Sequence, residues 1–213
     1  MHNCESDSNA AMRLNEAAPD FEARSTLGPI RLSDYRGRWL LFFSHPADFT
    51  PVCTSEFVAL ARAAPRFDAL GCALLALSVD SLYSHIAWLR DIETRLDLAI
   101  PFPVIEDPSM AIARAYGMLD PAADSSATVR ATFVIDPEGM LRAMIWYPMT
   151  VGRSVDEMLR VVAALQAADR AQASAPADWR PGEPMLEPGA LTMDEALARP
   201  DGETPWYLSE RPS

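Results

Sequence analysis

Along the chain, short uninterrupted apolar runs alternate with segments whose apolar residues recur every three to four positions. That is the pattern of buried strands followed by amphipathic helices. Residues 39–44 (WLLFFS) and 72–79 (CALLALSV) are too short for helices and lack polar alternation, which predicts strands covered on both faces. Residues 21–25 and 29–32, joined through Gly28, read as a hairpin. A helix is predicted over 50–69, and a second opens at Ser81 or Ser84 and carries Ile86, Trp88, Leu89 and Ile92. Residues 102–105 read as a short strand and 110–116 as a short helix. Residues 131–135 and 140–147 flank the turn Asp136-Pro137-Glu138-Gly139, a hairpin signal. Ser154-x-x-Glu157 is a capping box ahead of a helix whose apolar face is Val155, Met158, Leu159, Val162 and Leu165.

This order predicts an α/β sandwich around a mixed central sheet. Residues 1–16 are polar and read as a loose arm, and 17–170 as the main domain. From 171 onward the composition changes, with seven of the 18 prolines in that stretch. Thr192-x-x-Glu195 can cap one short helix there, and Trp179, Met185, Leu186, Trp206 and Tyr207 are apolar anchors. The stretch 171–213 is expected to pack onto the chain's own core or onto a second subunit.

Composition narrows the chemistry. All 18 basic residues are arginine, which excludes lysine Schiff bases, pyridoxal phosphate anchoring and a Walker phosphate loop. The three histidines, His2, His45 and His85, show no metal-ligand spacing, so no metal is expected. A net charge of -12 repels nucleic acid and anionic lipid, and no apolar run is long enough to span a bilayer. Cys4, Cys53 and Cys72 are an odd set without a CxxC pair or a secretion signal, as expected in a reducing, cytoplasmic setting.

One strand-to-helix junction is chemically unusual: His45-Pro46-Ala47-Asp48-Phe49-Thr50-Pro51-Val52-Cys53. Pro51 suits the first helical position, which puts Thr50 at the N-cap and Cys53 in the first turn. Unpaired amides and the positive end of the helix dipole there favour a thiolate. Position alone leaves two readings open, a nucleophile or a small buried residue at a helix start.

Pro46-x-x-x-Thr50-x-x-Cys53, within SHPADFTPVCTSEF, resembles the active-site signature of peroxiredoxins, and most closely their one-cysteine (peroxiredoxin-six) branch. The similarity continues through LSVDSLYSHIAWLRDI, VRATFVIDPEGMLRAMIWYP, TVGRSVDEMLRV and PADWRPGE, so it covers about 190 residues, including the C-terminal extension. It implies a thioredoxin-like fold and a thiol peroxidase that reduces hydrogen peroxide and organic hydroperoxides through a Cys53 sulfenic acid, in antioxidant defence and without a cofactor. It also implies an external thiol or other reductant and a homodimer that can assemble into a ring. Carried over, Cys53 is the peroxidatic cysteine, Thr50 contacts thiolate and peroxide, Pro46 shields the pocket and Arg130 lies beside the sulfur. Glu56 is expected to hold an arginine rather than act as acid or base. His45 either lines the pocket or is structural. Arg153 is either a second active-site arginine or a helix-end ion pair.

Trp88 is expected in the core, and His2 and His85 facing solvent. Cys72 begins the strand that follows a long helix, at the far end of the sheet from Cys53, so no bond between the two is expected. The phospholipase motif associated with animal members of the branch is missing: Arg36-Gly37-Arg38-Trp39-Leu40 has no serine, and Ser33 and Glu138 occupy the partner positions. That activity is not expected. A peroxide sensor or relay and a chaperone-like oligomer are the alternatives.

Overall fold

The computed structural model describes residues 12–119, 125–199 and 205–212. In chain order the first unit contains a hairpin of β1 (Glu22–Ser25) and β2 (Gly28–Arg31), then β3 (Trp39–Ser44), α1 (Pro51–Ala69), β4 (Cys72–Ser78), α2 (Leu82–Leu96), β5 (Val104–Glu106), α3 (Ala111–Ala115), β6 (Arg130–Ile135) and β7 (Leu141–Tyr147). They build a seven-stranded sheet in the order β2-β1-β5-β4-β3-β6-β7. β3, β4 and β5 run parallel, because α1 and α2 supply the crossovers that parallel pairing requires. β6 returns antiparallel to β3, and β7 pairs antiparallel to β6.

The WLLFFS run is a strand buried on both faces. Phe42 packs against Tyr116 and Phe133, with ring centroids 5.0 and 6.1 Å away. Phe43 points to the opposite face and meets Phe57 at 6.0 Å and Phe102 at 5.7 Å. Both phenylalanines are fully buried, and each such burial stabilises the fold by about 1.5–3 kcal/mol. The β6–β7 turn needs Gly139: its φ is +77°, and a Cβ there would run into the Arg36 guanidinium.

Three readings are corrected here. The start of the chain is not loose throughout: Asn15 N–H donates to the Leu141 carbonyl at 2.7 Å, Leu141 N–H donates to the Glu16 carbonyl at 2.9 Å, and Ala17 bridges Met140. His2 and Cys4 lie outside the described residues. On α2 the buried stripe is His85, Trp88 and Ile92, while Ile86 is exposed. His85 is thus buried rather than solvent-facing, because the spacing 85, 88, 92 is itself a helical stripe.

The compact units divide between Val155 and Asp156. Tail segments bond back to one another and to the end of α4 (Val155–Ala171): Ala173 N–H donates to the Ala168 carbonyl, and Ser174 pairs with Leu186. The second unit also holds β8 (Met185–Leu186), α5 (Met193–Ala198) and β9 (Glu210–Arg211), with β8 antiparallel to β9. Met158, Leu159 and Val162 are buried, and Val155 and Leu165 are half-buried. Thr192 caps α5 by accepting from Glu195 N–H at 3.1 Å. Trp179 is buried, and its Nε1–H donates to the Glu183 carbonyl. Among the described residues, no helix is long and apolar enough to cross a membrane.

Candidate active site

The C-terminal end of β3 runs into the loop 45–50 and then into α1. Thr50 has the extended backbone of an N-cap, and Pro51 is the first helical residue. The helix ladder begins with Thr54 N–H on the Thr50 carbonyl, so the Val52 and Cys53 amides have no partner within the helix. The Thr50 hydroxyl does not cap the helix. It donates to the Ala47 carbonyl at 2.8 Å, so its lone pairs are left to accept from something else. Pro46 is buried in the same loop, and Cys53 is fully buried.

β6 brings the second half of the site to Cys53 across 77 residues of sequence. Its antiparallel register sets Arg130 level with the end of β3. Ser44 latches the two strands by donating to the Val129 carbonyl and accepting from Ala131 N–H. Arg130 Nη1 lies 3.4 Å from Cys53 Sγ and 2.8 Å from Glu56 Oε2. Its Nε and Nη2 both donate to the Met149 carbonyl, at 3.0 and 2.8 Å, which fixes the plane of the guanidinium.

Glu56 sits one turn after Val52 and accepts from two arginines. Arg153 grips it as a fork, Nε on Oε1 at 3.0 Å and Nη2 on Oε2 at 2.8 Å, and its backbone N–H adds a third bond at 2.8 Å. Burial alone would raise the Glu56 pKa. The hydrogen bonds and charge of Arg153, then the charge of Arg130, outweigh it and hold the carboxyl below its ordinary value. One buried carboxylate therefore faces two buried guanidiniums, which leaves net positive charge beside the sulfur.

The loop 45–50 is held from the other side by a cluster that sequence reading missed. Asp48 Oδ1 accepts from His45 Nε2 at 2.9 Å, Oδ2 accepts from His85 Nδ1 at 2.8 Å, and Asp48 N–H donates to Asp80 at 2.8 Å. Burial would raise the Asp48 pKa, but the two imidazole bonds hold it well below the usual carboxylate range. Burial lowers the His45 pKa more than Asp48 raises it. With Asp48 so anchored, Phe49 adopts a left-handed backbone, φ +56°, and the residue is 58% exposed just before Thr50. For a non-glycine residue that conformation costs about 1–2 kcal/mol.

The histidine spacing suggested no ligand pair, yet folding brings His45 and His85 together on one carboxylate, close enough to surround an ion. The facing nitrogen of each ring already donates to Asp48. The outer nitrogens have no hydrogen-bond partner among the described residues, whereas metal-bound imidazoles almost always have one. The sequence signal for the cluster was the stripe His85, Trp88, Ile92: Trp88 packs 5.3 Å from the His45 ring and 4.5 Å from Phe57.

Cys72 opens β4 opposite Trp39, at the far end of the strand that leads into the site. Burial pushes its thiol up to about 12, so it is unreactive near neutral pH. Cys53 and Cys72 are both free.

A family model described as the AhpC/TSA family matches residues 14–144, and one described as the C-terminal domain of 1-Cys peroxiredoxin matches 164–201. The chain is 53% identical over 214 residues to a peroxiredoxin of Aquifex aeolicus, with 93% of this chain and 96% of the relative covered. Among solved structures it resembles a yeast mitochondrial 1-Cys peroxiredoxin described as resolved via the glutathione and thioredoxin systems. That match has a TM-score of 0.84 and 38% identity, and covers 95% of this chain and 100% of that one. A cysteine-to-serine mutant of peroxiredoxin 6 from Arenicola marina matches with the same TM-score at 33% identity, covering 95% and 98%. The α/β sandwich is therefore the thioredoxin-like one.

Proposed function

The chain belongs to the peroxiredoxin family, and from that premise we propose that Cys53 is the sulfur that attacks peroxide, in a pocket formed with Thr50, Pro46 and Arg130. Peroxiredoxins are thiol-dependent peroxidases, so the chain is an oxidoreductase that reduces peroxides at the expense of thiol. The Cys53 thiolate attacks the terminal oxygen of a hydroperoxide. An S–O bond forms, the O–O bond breaks, and sulfur is oxidised by two electrons to sulfenic acid. The alkoxide or hydroxide leaves and takes up a proton. Arg130 Nη1 stabilises charge on sulfur before attack, and the fixed guanidinium and the unpaired first-turn amides stabilise it as it moves along the S–O–O line. Thr50 accepts from the peroxide O–H, since its own proton is committed to Ala47. Glu56 and Arg153 hold Arg130 in place, and the bare Nδ1 of His45 accepts the O–H of the sulfenic acid. An external thiol then forms a mixed disulfide with release of water, and a second thiol regenerates Cys53. The glutathione and thioredoxin systems named for the yeast relative are the reductants we propose.

The carrying observation is the 3.4 Å contact between Arg130 and Cys53 Sγ, both of them buried. Arg130→Met is expected to lower kcat/KM for hydrogen peroxide by about 100-fold, and alkaline pH, which forms thiolate without help, is expected to restore only part of the loss. Full recovery at high pH would remove arginine from the transition state.

The finer setting is also part of the proposal. The free Cys53 and Cys72 support a reducing compartment, the cytoplasm. The end position of β7 in the sheet and the half-exposed Trp146 on it support a homodimer, which can assemble further into a ring. Residues 171–213 are read as an extension that packs onto the second copy, supported by the exposed Leu191, Met193 and Leu197.

A further inference from the structure

We infer that His85, a residue outside the Pro46–Cys53 motif, is a positioning residue for this site: through Asp48 it holds the His45 ring as the tautomer whose Nδ1 is a bare acceptor. The inference rests on the assignment of Cys53 as the reacting sulfur.

An ionised Asp48 accepts from both rings, so the facing nitrogens, His45 Nε2 and His85 Nδ1, both carry protons. The remaining nitrogen of His45 is then an unprotonated lone pair as long as the ring is neutral. It is buried and has no partner among the described residues. The ring packs on Phe57 with centroids 4.8 Å apart, and Phe57 lies one helical turn beyond Cys53 on the same face of α1. The ring thus packs against the α1 face that also carries Cys53, and a bare lone pair is a group that can accept a sulfenic O–H.

His85 makes this possible by sharing the carboxylate. The titratable and charged groups around His45 are Asp48 on its own loop, His85 from α2, Arg153 from the segment after β7 and, in the proposed site, Cys53 from α1; His85 and Arg153 oppose a positive His45. Burial opposes it as well. Without His85, one oxygen of Asp48 loses its donor and the carboxylate charge falls on His45 alone. That favours a doubly protonated ring, whose Nδ1 can no longer accept.

The test uses reduced full-length protein labelled with ¹⁵N in its three imidazoles. His2→Gln and the His85 variants assign the signals, which are followed from about pH 8 to about pH 5. In wild type, His45 is expected to carry its proton on Nε2 and to gain a second only below 6.5, its ordinary value. In His85→Leu that titration is expected to move up by about one pH unit, and the dimedone-trappable lifetime of the sulfenic acid to shorten at neutral pH. His85→Asn places an amide N–H where Nδ1–H stood and is expected to restore both. His85→Gln, with its amide one carbon further out, is not. If His85→Leu fails to fold, the contrast between Asn and Gln carries the test. A Nδ1–H tautomer in wild type, an unmoved His45 titration in folded His85→Leu, or equal behaviour of the Asn and Gln variants overturns the role of His85. Absence of oxidation at Cys53 in wild type would overturn the site assignment instead, and leaves the imidazole signals readable.

Discussion

Cys53→Ser is expected to abolish peroxide consumption and leave the fold in place. A hydroxyl nearly matches a thiol in size and can accept from Arg130 Nη1, so the buried first turn of α1 keeps its contacts. It is a far poorer nucleophile at neutral pH, however, because it stays protonated. The paired variant Cys72→Ser should retain wild-type turnover, since burial keeps that thiol protonated and the strand β3 separates it from the site. Steady-state consumption of hydrogen peroxide with dithiothreitol as reductant reads both. Residual activity in Cys53→Ser above roughly a tenth of wild type would require another nucleophile.

Glu56→Leu should be among the most destabilising single substitutions in the first unit. It removes the shared carboxylate from two buried guanidiniums, those of Arg130 and Arg153. Breaking a buried pair in this way costs about 3–5 kcal/mol, because uncompensated charge stays inside. For a chain of this size that lowers Tm by roughly 6–20 °C. Activity should fall with it, as Arg130 loses the partner that fixes Nη1 beside the sulfur. Glu56→Gln keeps two polar sites at the same position and should lie between wild type and Leu.

The pH dependence has a defined sign. The Glu56 pKa is depressed in the fold, so its contribution is fully present above its unfolded value, near 4.5, and is lost as pH falls through the lower folded one. His45 adds an earlier loss on acidification, beginning below 6.5, because its unfolded form takes up a proton that the buried ring resists. Thermal melts from neutral to acidic pH should therefore show two stages in wild type. Glu56→Gln should shrink the later one, to which Asp48 also contributes. A Glu56→Leu variant with unchanged Tm would contradict the buried-charge account.

What the sequence showed and what it hid divide along the range of the interactions. β3 and β4 were legible because five and six consecutive apolar residues fit a strand covered on both faces and little else. The start of α1 was legible because Pro51 and Thr50 are local signals. Arg130 was placed only through the resemblance, since nothing within ten residues of it points to a sulfur 77 positions earlier. Asp48 and His85 were missed for the same reason: 37 residues separate them, and each alone looks like an ordinary polar residue of a soluble protein. His85 carried a usable signal in its three- and four-residue spacing to Trp88 and Ile92, which a reading of Ile86 as the core residue obscured. The left-handed backbone of Phe49 follows from the anchoring of Asp48 and has no signature of its own.

The assignment of Cys53 is tested most directly by intact-mass and peptide mapping of reduced protein treated with one equivalent of hydrogen peroxide in the presence of dimedone. One dimedone adduct is expected, on Cys53, with Cys72 still reduced. With excess peroxide and no trap, Cys53 should gain two and then three oxygens as sulfinic and sulfonic acid, because no internal thiol competes for the sulfenic acid. A prompt, stoichiometric disulfide from Cys53 to Cys4 or Cys72, or an adduct on Cys72 in place of Cys53, would contradict the account.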